Sequence, residues 1–251
     1  MAQSKESVQV HKQGRRRRIV LLAGGVLAAV FLAVSLFFPD ITGSQSGKSP
    51  ALHPQPSPPA GPWSPGTERR ITLPAPRGES EGFPTNFPHS PQGAVAAMAA
   101  MLKAAWTLDE LQARRASAVY ASPQIRDMAV EGGASTAREL RKQLGLPLAG
   151  DAPQGAFVNV ATLATRWQEV SSDKVKVAMM VQVDSGLSPQ VTPRSKLLTI
   201  SGIWLWDPAV RGGDWVFTKG SANEVVPQLA EPGTPEFVAA GWIAIQQEGH
   251  P

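Results

Sequence analysis

The sequence predicts an α+β domain carried on one membrane-spanning helix. Three observations lead there. Ile19 to Phe38 holds twenty residues without a charge. From Ser90 onward, helix caps introduce apolar residues at helical spacing, and after Gly155 the apolar period changes to two. Helices followed by successive strands define the α+β class. The expected architecture is a set of helices packed on a curved, four-stranded antiparallel sheet.

The apolar stretch comes first. As a helix it spans roughly 30 Å, the thickness of a bilayer's hydrocarbon core. Arg15, Arg16, Arg17 and Arg18 precede it, and no basic residue follows until Lys48. This asymmetry predicts a cytoplasmic N-terminus, residues 1–18, and an extracytoplasmic remainder. A secretory signal has a shorter apolar core and a small-residue cleavage site; Leu36, Phe37 and Phe38 are bulky. The segment therefore reads as a retained anchor. A twin-arginine export signal and removal of the segment are the competing readings. Gly24-Gly25 lacks the four-residue spacing of a helix-dimerisation face.

Residues 39–81 follow, with ten prolines among 43 positions. That composition cannot build a core. It favours extended polyproline II and a reach of roughly 130 Å. It reads as a spacer holding a domain, residues 82–251, away from the membrane.

Ser90 and Pro91 predict an N-cap and first helical residue, opening a helix through Val95, Met98, Leu102 and Trp106. Thr107 to Glu110 reads as a capping box for a second helix, with Leu108, Leu111, Ala118 and Val119 inward and Arg114-Arg115 outward. Ser122-Pro123 starts a short third helix, stopped by Gly132-Gly133. Ser135 to Leu144 is a fourth, ended by Gly145. Ala156 to Val170 predicts a bent strand, and Val175, Val177, Met179, Val181 and Val183 alternate as a half-buried one. Lys196–Trp206 and Trp215–Lys219 supply the third and fourth strands, with Gly202 a candidate kink. Phe237 to Ile245, with Trp242, reads as a docked tail.

Charge and composition exclude several functions. The tail carries a balance of +5, the spacer 0 and the domain −1. The domain lacks the basic excess that nucleic-acid binding uses, so no nucleic-acid partner is expected. The arginines suit anionic lipid headgroups. The absence of cysteine removes disulfides, thiolate metal sites and a cysteine nucleophile. Of four histidines only His89 falls among the domain's elements, too few for a converging metal site; it reads as a structural histidine beside the first helix. Tyr120 is the sole tyrosine, with Asp109, Asp127 and Glu169 as candidate acids for an acid–base site. Arg138, Arg141 and Lys142 read as a solvated helix face. Trp204 and Trp206 share one strand face: core packing accounts for them if buried, a partner surface if exposed.

One crossing, a linker, helices and then a curved sheet resemble the bitopic, cone-shaped component of type IV secretion and conjugation machines. The domain order also resembles the nuclear-transport-factor-like α+β cone superfamily. The run Asn86-Phe87-Pro88-His89-Ser90-Pro91-Gln92-Gly93-Ala94-Val95-Ala96-Ala97 resembles a membrane-anchored family of high-GC Gram-positive bacteria, linked with mobile elements and lacking an established activity. The resemblance implies no catalytic residues and no cofactor. The expectation is a non-enzymatic assembly subunit in the cell membrane, with envelope or transfer-apparatus proteins, further copies of itself and the bilayer as partners. The rival is a ligand-binding or hydrolytic cone with an apolar pocket.

Overall fold

The computed structural model describes residues 68–220 and 227–246. Arg15 to Arg18 and the apolar stretch 19–38 lie outside them. Among the described residues no helix is long and apolar enough to cross a membrane.

Three helices pack against a mixed six-stranded sheet. The chain runs β1 (Arg70–Ile71), β2 (Gly78–Ser80), β3 (Phe83–Thr85), α1 (Pro91–Ala105), α2 (Glu110–Tyr120), a 3-10 turn (Pro123–Ile125) and α3 (Arg126–Gln143). It continues through β4 (Phe157–Ser171), β5 (Lys174–Gly186), β6 (Arg194–Asp207), β7 (Asp214–Thr218), α4 (Pro235–Ala239) and β8 (Ile243–Ile245). The sheet order is β1-β8-β4-β5-β6-β7, with β2 and β3 forming a separate hairpin. The β1–β8 pair is parallel and the other pairs in the sheet are antiparallel. The four expected strands are present, but the sheet is larger than predicted. Its extra strands come from the tail and from Arg70–Ile71. Residues 68–81, assigned to the spacer, thus contribute β1 and β2.

Local chemistry explains the elements. Ser90 Oγ accepts the Gly93 N–H and caps α1 as expected. For α2 the cap is Asp109, not Thr107: its carboxylate accepts the N–H groups of Leu111 and Gln112. Thr107 Oγ1 instead accepts the Asp109 N–H. A carboxylate is the stronger acceptor for a helix N-terminus. The inward face of α2 is Ala113, Ala116, Ser117, Val119 and Tyr120; Leu108 and Val119 are buried as expected, whereas Leu111 is 64 % exposed, against expectation.

The predicted third and fourth helices are one. Gly132-Gly133 does not stop α3, which continues to Gln143. A Cβ on Gly133 would lie 2.4 Å from Ser117 Oγ and 2.6 Å from Ala113 O. This glycine serves helix packing and lets α2 and α3 approach closely. The end predicted at Gly145 holds: its φ is 71°, and the N–H groups of Gly145 and Leu146 reach back to the carbonyls of Lys142 and Arg141. Arg141 is buried, contrary to the solvated face expected. Its guanidinium donates to the carbonyls of Leu108, Pro147 and Gly150 and ties down the loop after α3.

Alternation along β5 sends Val175, Val177, Met179, Val181 and Val183 into the main core beneath the alanines of α1. The opposite face is also apolar. There Ala164, Ala178 and Met180 lie under Phe237 and Trp242 of the docked tail. Irregularity in the sheet falls on β4, at Thr162/Ala164 and Glu169/Ser171, where bulges bend a strand. The register runs through Gly202 opposite Val177 without a break, so Gly202 carries no bulge.

Candidate functional site

The residues that carry chemistry gather at one end of the sheet. There the loop before α1, the β4–β5 turn and the β6–β7 turn meet. The anchor beneath is Asp214, a buried carboxylate at the start of β7. Its Oδ1 accepts from the N–H groups of Trp215 (2.8 Å) and Phe87 (3.2 Å). Its Oδ2 accepts from Asn86 N–H (2.7 Å) and Arg211 Nε (2.9 Å). Four donors on one carboxylate lock the N-terminal loop to the β6–β7 turn. Asn86 and Arg211 adopt φ of 56° and 52° to reach these positions, and Asn86 Nδ2 donates to Arg211 O at 2.9 Å. Arg211 Nη1 donates to Val119 O at 2.8 Å, which joins the end of α2 to the staple, while its buried Nη2 has no partner among the described residues.

Tyr120 sits beside this staple. Its hydroxyl donates to Pro84 O at 2.7 Å. Burial pushes the phenol pKa up, the negative charge of Asp214 adds to that, and Arg211 opposes it. The carboxylate acting on Tyr120 is thus Asp214. The acids singled out from sequence are elsewhere: Asp109 caps α2, and Asp127 and Glu169 are exposed. Asp214 escapes sequence reasoning because it reads as a turn residue after Gly212-Gly213. The available signal was its place directly before a tryptophan-bearing strand, where a surface turn passes into the core.

Over the staple lies an aromatic cap. Pro88 O accepts the Trp215 Nε1–H at 2.9 Å, and Gly93 makes the approach feasible, since a Cβ there would lie 1.9 Å from that oxygen. The next residue, His89, stacks on Trp206 with centroids 4.2 Å apart and planes 9° from parallel. Trp215 meets both rings edge-on, at 5.7 Å and 5.6 Å. His89 Nε2 is 2.8 Å from Asp173 Oδ1 and 3.1 Å from Ser172 O. Facing two acceptors, Nε2 is the nitrogen that carries the proton. His89 is therefore a structural histidine with an aromatic neighbour, and both it and Asp173 stay open to solvent, so the pair adds little stability. Trp206 fits because residue 213 is glycine: a Cβ there would lie 2.7 Å from its Cζ2.

The two tryptophans named from sequence part company here. Trp206 is partly exposed within the cap. Trp204 is fully buried against Phe217, at 6.2 Å, and is not a partner-surface residue. They share a strand face, but Trp204 lies deeper along β6, under the helices. Among the described residues its Nε1–H finds no acceptor. Among the described residues no group of three or more His, Asp or Glu is placed to hold a metal ion.

The arrangement can present a rigid aromatic and imidazole surface to a partner. Its ionisable groups below are engaged by backbone groups and, in Asp214 and Arg211, by each other. Comparison with protein-family models, curated proteins and solved structures finds no match to the chain.

Proposed function

We propose that this chain is a non-enzymatic, membrane-anchored assembly subunit of a conjugative-transfer or secretion-like apparatus. Its folded domain sits outside the membrane and binds envelope proteins or further copies of itself. The observation that carries the binding role is the cap of Trp206 and His89, set on the Asp214 staple. Tryptophan is enriched where binding energy concentrates, and a cap resting on a loop and strand start that one carboxylate holds by four hydrogen bonds loses little entropy on docking. The buried polar groups support the non-enzymatic part. Tyr120 and Arg141 spend their hydrogen bonds on backbone groups of this chain, and Asp214 spends its own on three backbone N–H groups and the Arg211 guanidinium.

The test is photo-cross-linking in intact cells from a benzophenone amino acid at position 89, with position 111 on the exposed face of α2 as the control. A discrete protein adduct from 89 alone is expected, together with loss of plasmid transfer in Trp206→Ala. Equal labelling from both positions, or transfer unchanged when the gene is removed, sinks the proposal. A ligand-binding reading has a separate observation in its favour, the unpartnered indole of Trp204.

A further inference from the structure

The buried indoles of this domain follow a rule with one exception. Trp215 Nε1 donates to Pro88 O and Trp242 Nε1 to Gln228 O, each at 2.9 Å. Both found a backbone carbonyl. Trp204, buried as deeply, found none. A buried donor without an acceptor calls for an explanation in a native fold.

Gly202 supplies a second, independent observation. It lies two residues before Trp204 on the same face of β6, it is buried, and it is paired with Val177. Glycine weakens a strand interior and is usually kept there for a special backbone angle or a close contact. Neither applies. Gly202 is not among the residues with positive φ. Among the described residues, a Cβ built on it meets one heavy atom within 4 Å, and that atom is Trp204 Nε1, at 3.7 Å. Protein interiors are close-packed, so among the described residues this buried position is sparsely filled. The sparse side faces the unpartnered N–H, which is its one neighbour within 4 Å among the described residues.

The same face leads outward. Leu198 and Ile200 belong to the apolar cluster under the helices, yet both are only partly buried. Alternation places residues 198, 200, 202 and 204 in one row. The row passes from half-exposed aliphatic side chains, past the glycine gap, to a hydrogen-bond donor at its inner end. Its first charged residue is Lys196, at the exposed outer end.

We propose that this row is the floor of a binding recess for a small neutral molecule with an apolar body and one acceptor oxygen, of the alcohol, ketone or ester class. The oxygen accepts from Trp204 Nε1, the atoms next to it fill the gap at Gly202, and the apolar part lies along Ile200 and Leu198. The neutral aliphatic and indole surface disfavours an ionised head at the inner end. This inference is independent of the partner-binding cap, since it uses none of its contacts.

The test uses the full-length chain in detergent micelles, labelled with 15N-tryptophan, and cyclohexanone as the probe. The Trp204 indole resonance is assigned by its loss in Trp204→Phe. Titration should move that resonance downfield and saturate. Gly202→Ala should weaken cyclohexanone binding at least tenfold with an unchanged or higher melting temperature, because the methyl group occupies the gap without a clash. Ile200→Trp, at the outer part of the row, should weaken binding as well and serves if Gly202→Ala does not fold. A Trp204 resonance that stays put, or drifts without saturating, overturns the proposal. So does wild-type affinity in the folded variants. A water cross-peak on the indole proton that persists at saturating cyclohexanone identifies a single bound water and overturns it too.

Discussion

Replacing Gly133 by alanine tests whether α2 and α3 are held at a distance that only glycine permits. The added Cβ would sit 2.4 Å from Ser117 Oγ, 2.6 Å from Ala113 O and 3.0 Å from Ala113 C. The serine hydroxyl can rotate away. The Ala113 carbonyl cannot, because it belongs to the backbone of α2. Ordinary contact begins near 3.4 Å, so the helices must part by about 0.8 Å at this point, 3.4 less 2.6. Overpacking of this kind costs about 1–3 kcal/mol, and alanine's better helix propensity returns up to about 1 kcal/mol. The contact is with backbone, so the net loss should fall near 1–2 kcal/mol. Gly132→Ala, one residue earlier in α3 at a half-buried position, is the companion variant, with helix propensity worth up to about 1 kcal/mol in its favour. Thermal unfolding of the full-length chain in detergent, followed by circular dichroism, reads the contrast. At about 2–4 °C per kcal/mol for a chain of this size, Gly133→Ala should melt roughly 2–8 °C below the parent. A melting temperature at or above the parent's would refute the close-approach argument.

Other consequences follow from the same contacts. Asp214→Ala leaves Arg211 and three backbone N–H donors without their acceptor and should cost about 3–5 kcal/mol, read as a fall in the denaturation midpoint; a neutral result means the carboxylate does not hold the loops together. Tyr120→Phe removes the hydrogen bond to Pro84 O and should cost about 0.5–1.5 kcal/mol at neutral pH. The phenol's folded pKa lies above its ordinary value of 10.0, so the native state keeps a proton that the unfolded chain releases. That contribution is fully present below about pH 10 and is lost as pH rises further. The parent should therefore lose stability above pH 10 more steeply than Tyr120→Phe, and parallel curves would contradict the burial of the hydroxyl. Exchanging Arg15 to Arg18 for glutamine should scramble orientation, so that protease added to whole cells no longer digests the domain in every molecule; unchanged digestion removes the arginines as the topology signal.

Long periodic elements were legible in the sequence. The five alternating apolar residues of β5 and the Ser90–Pro91 start of α1 carry strong local signals, and both elements form as expected. Short elements were not. β1 and β8 have two and three residues, too few to show a period, and they exist because each completes the other's hydrogen bonding at the sheet edge. Gly132-Gly133 misled for a different reason. Glycine signals a helix stop when only the local chain is considered, and the approach of α2 that requires it is a tertiary fact. The cap of α2 failed through competition, since Thr107 and Asp109 both satisfy a capping pattern and the carboxylate wins. Alternation placed Trp204 and Trp206 on one face, and it cannot report depth along the strand. The staple of Asn86, Arg211 and Asp214 joins residues more than 120 positions apart, and no local pattern spans that distance.

The pairing of β1 with β8 has a mechanical consequence. The chain arriving from the N-terminal side enters the sheet at its outermost strand, and that strand is held by few bonds, including Ala244 N–H to Arg69 O at 2.8 Å and Gln246 N–H to Ile71 O at 2.9 Å. With the anchoring proposed above, tension on the tether reaches this seam before it reaches the core. Peeling β1 releases slack from the segment up to the β2–β3 hairpin while the Asp214 staple still holds the rest. Such a joint yields first and spares the head, so a load on the leash lengthens it without unfolding what it carries.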